Sequence, residues 1–246
     1  DLGAFTPFFH AFRERESIND IMEETCGARL TMNYMVPGGV MHDLHPNFQK
    51  RVKDFMQLYK SKVHEYDEML TGNIIFQNRM KNVGMLSAED AIAYGCTGPT
   101  ARGSGVSCDV RKLYPYEIYN TLEFDEVLET GGDSFARYIV RVREMQQSIR
   151  IIEQLIDNIP EGDFQTKTKA VLKLPKGEFY SRVETARGEL GVYIVSEGAT
   201  TPYRIKFRSP GFSNLSVLNH IAKGSKLGDL VAMMGTLDLV IPDIDR

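Results

Sequence analysis

Cysteine is scarce in this 246-residue chain, and the three that occur, Cys26, Cys96 and Cys108, stand far apart. An odd count with no close pair excludes a disulfide framework and a CxxC metal site. It fits three reduced thiols in a cytosolic environment. Long apolar runs are also missing: none approaches the ~18 residues of a membrane span. No signal peptide is visible, so a role at a membrane would require another subunit to hold the chain there. A basic excess is absent too. The formal net charge is −4, which offers no overall positive surface to nucleic acid or anionic lipid.

Several catalytic devices are missing as well. The glycine-rich stretch from Gly95 to Gly105 lacks the Gly-Lys-Ser/Thr ending of a phosphate-binding loop, and it is not a GxGxxG turn after a strand. There is no HExxH and no GxSxG. His42 and His45 lie three apart around Asp43, but in a loop beside Pro46 and without a third ligand, so no metal site is expected. His10, His64 and His220 are scattered, as helix-surface or core histidines would be.

What remains is the pattern of a globular protein with a sizeable core, 42% hydrophobic and 25% charged. Thr6 reads as an N-cap with Pro7 at the first helical position. Phe8, Phe9, Phe12, Ile18, Ile21, Met22 and Thr25 follow as a helical stripe, and Gly27 ends it. Arg13, Glu14, Arg15 and Glu16 alternate in sign and are expected to face water. After a turn at Pro37-Gly38-Gly39, a second helix is expected from Pro46 to Leu70, with Phe48, Val52, Phe55, Tyr59, Val63, Tyr66 and Leu70 on one side. Ser87 and Asp90 form a capping box for a short helix to Tyr94. The longest helix is expected over Asp133 to Asn158, along a seam of Phe135, Tyr138, Val142, Met145, Ile149, Ile152 and Ile156. A polar linker runs from Pro160 to Lys176. Strands are expected at 179–184, 190–196 and 203–208, and helices again at 215–220 and 227–237. The sum is α+β: mainly a helical bundle over 1–160, then 161–246 as a small antiparallel sheet plus a C-terminal helix returning to the bundle. The chain opens without methionine and enters a helix at once, which reads as a fragment of a larger domain.

Four segments together resemble signature stretches of the quinone-reducing D-type component of respiratory complex I, the 49-kDa-type subunit of NADH:quinone oxidoreductase. The first is Asp1-Leu2-Gly3-Ala4-Phe5-Thr6-Pro7-Phe8-Phe9 with Phe12 to Glu16. The second is Gly95 to Gly105 with Asp109-Val110-Arg111-Lys112. The third is Gly132-Asp133, Tyr138 and Val140 to Met145. The fourth is Ala186 to Gly191, Pro202-Tyr203-Arg204, Pro210-Gly211-Phe212 and Asp245-Arg246. The family is related to the large subunit of nickel–iron hydrogenases, which implies a hydrogenase-large-subunit-like fold. Those enzymes hold their metals on cysteine pairs. The matching C-terminal stretch here, Asp238 to Asp243, has none, which counts against a membrane-bound hydrogenase. A scaffold subunit with no part in the chemistry is a further alternative.

The resemblance implies a quinone-reduction chamber shared with the iron–sulfur B-type subunit. It makes Asp1 the acid linked to quinone protonation, where the residue alone reads as an ordinary start-of-helix carboxylate. Phe8, Phe12, Asp238 and Val240 would line the chamber, although two phenylalanines at i, i+4 otherwise read as core. Arg29 and Arg187 would lie near the cavity or its cluster interface, although each alone reads as a surface charge. Arg102 and Arg111 fit better as hydrogen-bonding braces of the glycine-rich loop. No cofactor is expected on this chain: quinone would be the substrate, a 4Fe-4S cluster would sit in the B-type partner, and FMN and NADH elsewhere. The implied partners are the B-type, C-type and membrane-arm subunits. The implied location is the cytoplasmic side of a bacterial inner membrane, peripheral through those partners. Three positions depart from the family. Its quinone-binding histidine and tyrosine lie upstream of Asp1, Val36 replaces an arginine, and the 160–176 linker is short.

Overall fold

The computed structural model describes residues 2–169 and 171–245. Helix α1, Phe5–Cys26, ends at Gly27, whose left-handed backbone (φ 74°) lets its N–H reach back to the Glu23 carbonyl at 2.8 Å. Its start differs from expectation. The helix begins at Phe5 behind Ala4 with no side-chain cap. Pro7 falls in the first turn, where its missing N–H has no intrahelical partner to lose. A hairpin of β1, Met35–Val36, and β2, Gly39–Val40, turns through Pro37-Gly38. The linker is tied to this hairpin: Val40 N–H donates to Phe164 O at 3.1 Å, and Thr166 N–H to Gly38 O at 2.9 Å.

Helix α2, Phe48–Tyr66, continues into a π-helical turn, Asp67–Thr71. Helix α3, Ile74–Met80, is an addition to the expected elements. Asn73 caps it by accepting the N–H groups of Ile75 and Phe76. Helix α4, Ala88–Ala93, carries the expected box: Ser87 Oγ accepts Asp90 N–H at 3.0 Å and donates to Asp90 Oδ2 at 2.9 Å. The glycine-rich stretch forms a single helical turn, α5, Pro99–Arg102, and α6, Val110–Leu113, follows. Helix α7, Ser134–Leu155, is capped by Asp133 and is about 33 Å long at ~1.5 Å per residue.

Strands β3, Gly177–Thr185, β4, Gly188–Ser196, and β5, Arg204–Arg208, form an antiparallel sheet in the order β3-β4-β5. Helices α8, Pro210–Ser216, α9, Leu218–Ile221, α10, Leu227–Leu237, and α11, Ile241–Ile244, complete the chain. The architecture is therefore α+β, with small antiparallel sheets beside a helical body.

One core cluster joins Leu86, Ala91, Cys96 and Ala101 to Val217, Ile221, Met233 and Leu237, so α9 and α10 close over the α4–α5 region. A second sets Met56 and Val63 of α2 against Ile149 of α7. The expected seam of α7 is part of what it buries. Ala136, Arg137, Ile139 and Val140, off that seam, are buried too, because α7 is covered on several sides. On α1, Glu14 corrects the expectation of a water-facing charge run. It is 2% exposed and accepts a hydrogen bond from the Tyr66 hydroxyl, with Arg13 on its other oxygen.

Candidate functional site

Arginines and carboxylates meet where α5, α6, α7, β3 and the end of α10 converge. Arg102, at the end of α5, is 2% exposed. Its Nε donates to Glu144 Oε1 of α7 at 2.8 Å and its Nη1 to Glu184 Oε1 of β3 at 2.8 Å. Burial opposes charge on this guanidinium, but Glu144 and Glu184 outweigh it and hold its pKa above the usual arginine range. Burial also pushes the Glu184 carboxyl up, against the pull of Arg102. Arg111 forks onto Asp109, with Nε to Oδ1 at 3.0 Å and Nη2 to Oδ2 at 2.7 Å. Asp109 Oδ1 also caps α6 through Arg111 N–H at 2.9 Å. Despite its burial, Asp109 is held below the usual carboxylate range by Arg111.

These groups surround a cleft of about 390 Å³, lined among others by Arg102, Arg141, Glu144, Met145, Glu184 and Asp238. Asp238 terminates α10 in a left-handed conformation, φ 54°. Arg187 holds it there: Nε donates to the Asp238 carbonyl at 3.2 Å and Nη2 to Oδ1 at 3.4 Å. Arg187 is itself placed by backbone contact. A Cβ on Gly98 (φ 67°) would lie 2.4 Å from the Arg187 carbonyl oxygen, and one on Gly188 would lie 2.5 Å from Thr97 Oγ1. Only glycine on both sides lets the loop and the β3–β4 turn approach so closely.

One turn back along α7 the character changes. Tyr138, with Phe8, Phe76, Met80, Val231 and Ala232, lines an apolar groove of about 350 Å³ between α1, α3, α7 and α10. Phe76 packs edge-on against Tyr138 at 4.8 Å between ring centres. Since Tyr138 and Arg141 are three apart on α7, and Thr236 and Asp238 stand two apart at the end of α10, groove and cleft are neighbours on the same two helices.

The expected site residues separate accordingly. Phe8 borders the apolar groove. Phe12 is one turn on, 5.7 Å from Phe8 between ring centres, and lies under the Arg15 guanidinium. Asp238 and Arg187 meet as an ion pair, and half-buried Val240 follows as the N-cap of α11. Arg29 stands apart. It binds Glu16, Asp20 and Glu23 at the far end of α1 and is among the lining residues of neither pocket. Asp1, and with it the expectation that Asp1 and Asp238 share one side of the bundle, lies outside the described residues. Sequence reasoning missed Arg141, Glu144 and Glu184 as cleft residues. One signal was available: Arg137 and Arg141 are four apart and share one face of a helix rich in apolar residues, where a pair of charges calls for a purpose. Among the described residues, no three His, Cys, Asp or Glu side chains gather as a metal site requires.

The family model of the respiratory-chain NADH dehydrogenase 49-kDa subunit matches residues 1–173 and 169–246. The chain is 55% identical over 246 residues to the C/D subunit of NADH-quinone oxidoreductase from Bacteroides thetaiotaomicron, covering 100% of this chain and 46% of that protein. It is 45% identical over 246 residues to the D 2 subunit of the same enzyme from Solibacter usitatus, with 100% and 66% covered. It is also 45% identical over 245 residues to the D subunit from Desulforamulus reducens, with 100% and 67% covered. The chain thus spans about half the length of the C/D relatives and about two thirds of the D relatives. On the match along its whole length, this chain belongs to the 49-kDa subunit family of respiratory-chain NADH dehydrogenase.

Proposed function

We propose that this chain forms one wall of the quinone-reduction chamber of a proton-pumping NADH:quinone oxidoreductase, beside the B-type subunit that carries the last 4Fe-4S cluster. The observation that carries this reading is the order of environments along α7: an apolar groove at Tyr138, then a charged cleft at Arg141 and Asp238. A quinone is amphipathic in the same order, apolar tail then polar head, and a few placed polar groups at the end of an apolar pocket suit it. Electrons would arrive from flavin and clusters on other subunits. Cys26 lies at the end of α1, away from the core cluster that holds Cys96 and that Cys108 packs against, and among the described residues no three His, Cys, Asp or Glu side chains gather as a cluster would need. The chain's own share is positioning, electrostatics and proton supply, with Asp1 as the acid nearest that role. Membrane attachment would come through the membrane-arm subunits, on the cytoplasmic side. Among the described residues no helix is long and apolar enough to cross a membrane.

The test uses the assembled complex. A photoreactive quinone analogue should label peptides from α1, α7 or the α10–α11 segment, and excess quinone should compete with it. Labelling confined to other subunits would reject the chamber assignment. Asp238→Asn should lower quinone turnover per assembled complex while NADH oxidation by a hydrophilic artificial acceptor stays normal. A mere scaffold predicts reduced assembly with normal turnover.

A further inference from the structure

Three of the arginines at the cleft are matched by carboxylates: Arg102 by Glu144 and Glu184, Arg111 by Asp109, and Arg187 by Asp238. Arg137, one turn before Arg141 on α7, meets its burial differently. It is fully buried and donates to the Gly132 and Gly84 carbonyls and the Ser134 and Thr236 hydroxyls, at 3.0–3.3 Å. Arg141 has neither arrangement. Its Nη1 donates to the Arg137 carbonyl at 2.9 Å, and among the described residues this is its one hydrogen bond. Asp238 and Glu144 act on it through space, but neither forms an ion pair with it. Among the described residues, most of its five N–H donors have no protein acceptor beside the cleft that it lines. Burial holds its pKa below the usual arginine range, the opposite of Arg102.

Arg141 is only partly buried, so its open donors face the cleft that it lines, whereas Arg137 shows how this helix pairs the donors of an arginine that is fully buried. We propose that Arg141 is a substrate-binding residue, donating hydrogen bonds to an oxygen of the quinone head. This rests on the chamber reading above and adds the group that meets the head at the α7 wall. Reduction of a quinone adds two electrons, supplied in that reading by the partner subunit's cluster, and two protons, so both carbonyls become hydroxyls. Between arrival of an electron and arrival of a proton, an oxygen carries negative charge. A fixed guanidinium beside it stabilises that state without giving up a proton of its own. Arg141 is thus an electrostatic partner of the head, and the protons come from elsewhere.

The test is Arg141→Met and Arg141→Lys in the full-length protein within the assembled complex. Two activities are compared: reduction of a soluble short-tailed quinone, and NADH oxidation by an artificial acceptor that bypasses the quinone. Arg141→Met should lower kcat/KM for quinone about 100-fold, the scale set by removing one such donor. The bypass activity per complex should stay unchanged. Arg141→Lys keeps the charge but loses the planar fork, and should recover to within about tenfold of the parent. Quinone turnover within about twofold of the parent in an assembled methionine variant overturns the assignment. If that variant does not assemble, the lysine variant decides: a kcat/KM several-fold down supports the assignment, and a parental value overturns it. The photolabel separates the two levels. Label on α7 and α10 with neutral Arg141 variants removes only the role of Arg141, whereas absence of label from this chain removes the chamber reading itself.

Discussion

Helices α1 and α7 are each 22 residues long, and the chain treats them in opposite ways. Helix α7 buries eight residues, from Ser134 to Ile151, whereas α1 buries three: Glu14, Ile21 and Thr25. Both carry apolar residues at helical spacing. The difference lies in the surroundings: α7 is flanked by α2, α3, α5 and α10, while α1 packs chiefly on α2 and leaves Phe5, Phe8, Phe9 and Phe12 open. Periodicity states which residues share a face. It does not state whether the same chain covers that face.

The largest expected effect comes from breaking the α7 side. Arg102→Met should destabilise the purified chain by about 3–5 kcal/mol in urea unfolding, because Glu144 and Glu184 would lose their shared buried partner and must either stay charged unpaired or take up a proton. A loss below about 1 kcal/mol would mean that water enters the cleft and screens them. On α1 the corresponding anchor is the Glu14–Tyr66 contact. Tyr66→Phe should cost about 1.5–3 kcal/mol, the worth of a hydrogen bond to a charged group. Burial first, and then Glu14, raise the Tyr66 hydroxyl pKa above the usual tyrosine range. A pKa raised on folding contributes stability that is fully present below the unfolded value, about 10, and is lost as pH rises through the folded value. The parent should therefore lose thermal stability above about pH 10, and Tyr66→Phe should flatten that decline. An identical alkaline slope in both proteins would assign the decline to other groups.

Smaller effects sharpen the contrast. Val140→Ala, at a fully buried position of α7, should cost about 1.5 kcal/mol from two lost methylene equivalents at ~0.8 each. Phe8→Ala, on a side chain 57% exposed, should change the stability of the chain by no more than about 0.5 kcal/mol. Its effect should appear instead as weaker binding of a quinone analogue to the assembled complex. If Phe8→Ala costs as much stability as Val140→Ala, α1 is not an open helix.

Local signals carried much of the architecture. Leu227–Leu237 forms a helix over the expected span, the Ser87–Asp90 box closes as expected, and the three strands differ by a residue or two at their ends. In each case the deciding interactions lie within a few residues. Helix α3 was illegible because it is only seven residues long: Phe76 and Met80 make one inward i, i+4 pair, while Ile74 and Ile75 are exposed and blur the periodicity. The cleft was illegible for another reason. Arg102 finds its carboxylates 42 and 82 positions away, and no spacing rule reaches that far. Arg187 and Asp238 were named only through resemblance; their 51-residue separation is invisible to any local pattern. Glu14 misled for the opposite reason, since an alternating charge run is normally solvated and only the distant Tyr66 explains its burial.

The two facing glycines, Gly98 and Gly188, act as a spacer whose thickness is that of bare main chain. They fix where the Arg187 backbone runs, and Arg187 in turn grips Asp238. Adding one methyl group at Gly98 would therefore be transmitted as a displacement rather than absorbed as a local clash. The glycine-rich loop thus works as a gauge block, and the width of the charged cleft is machined to it.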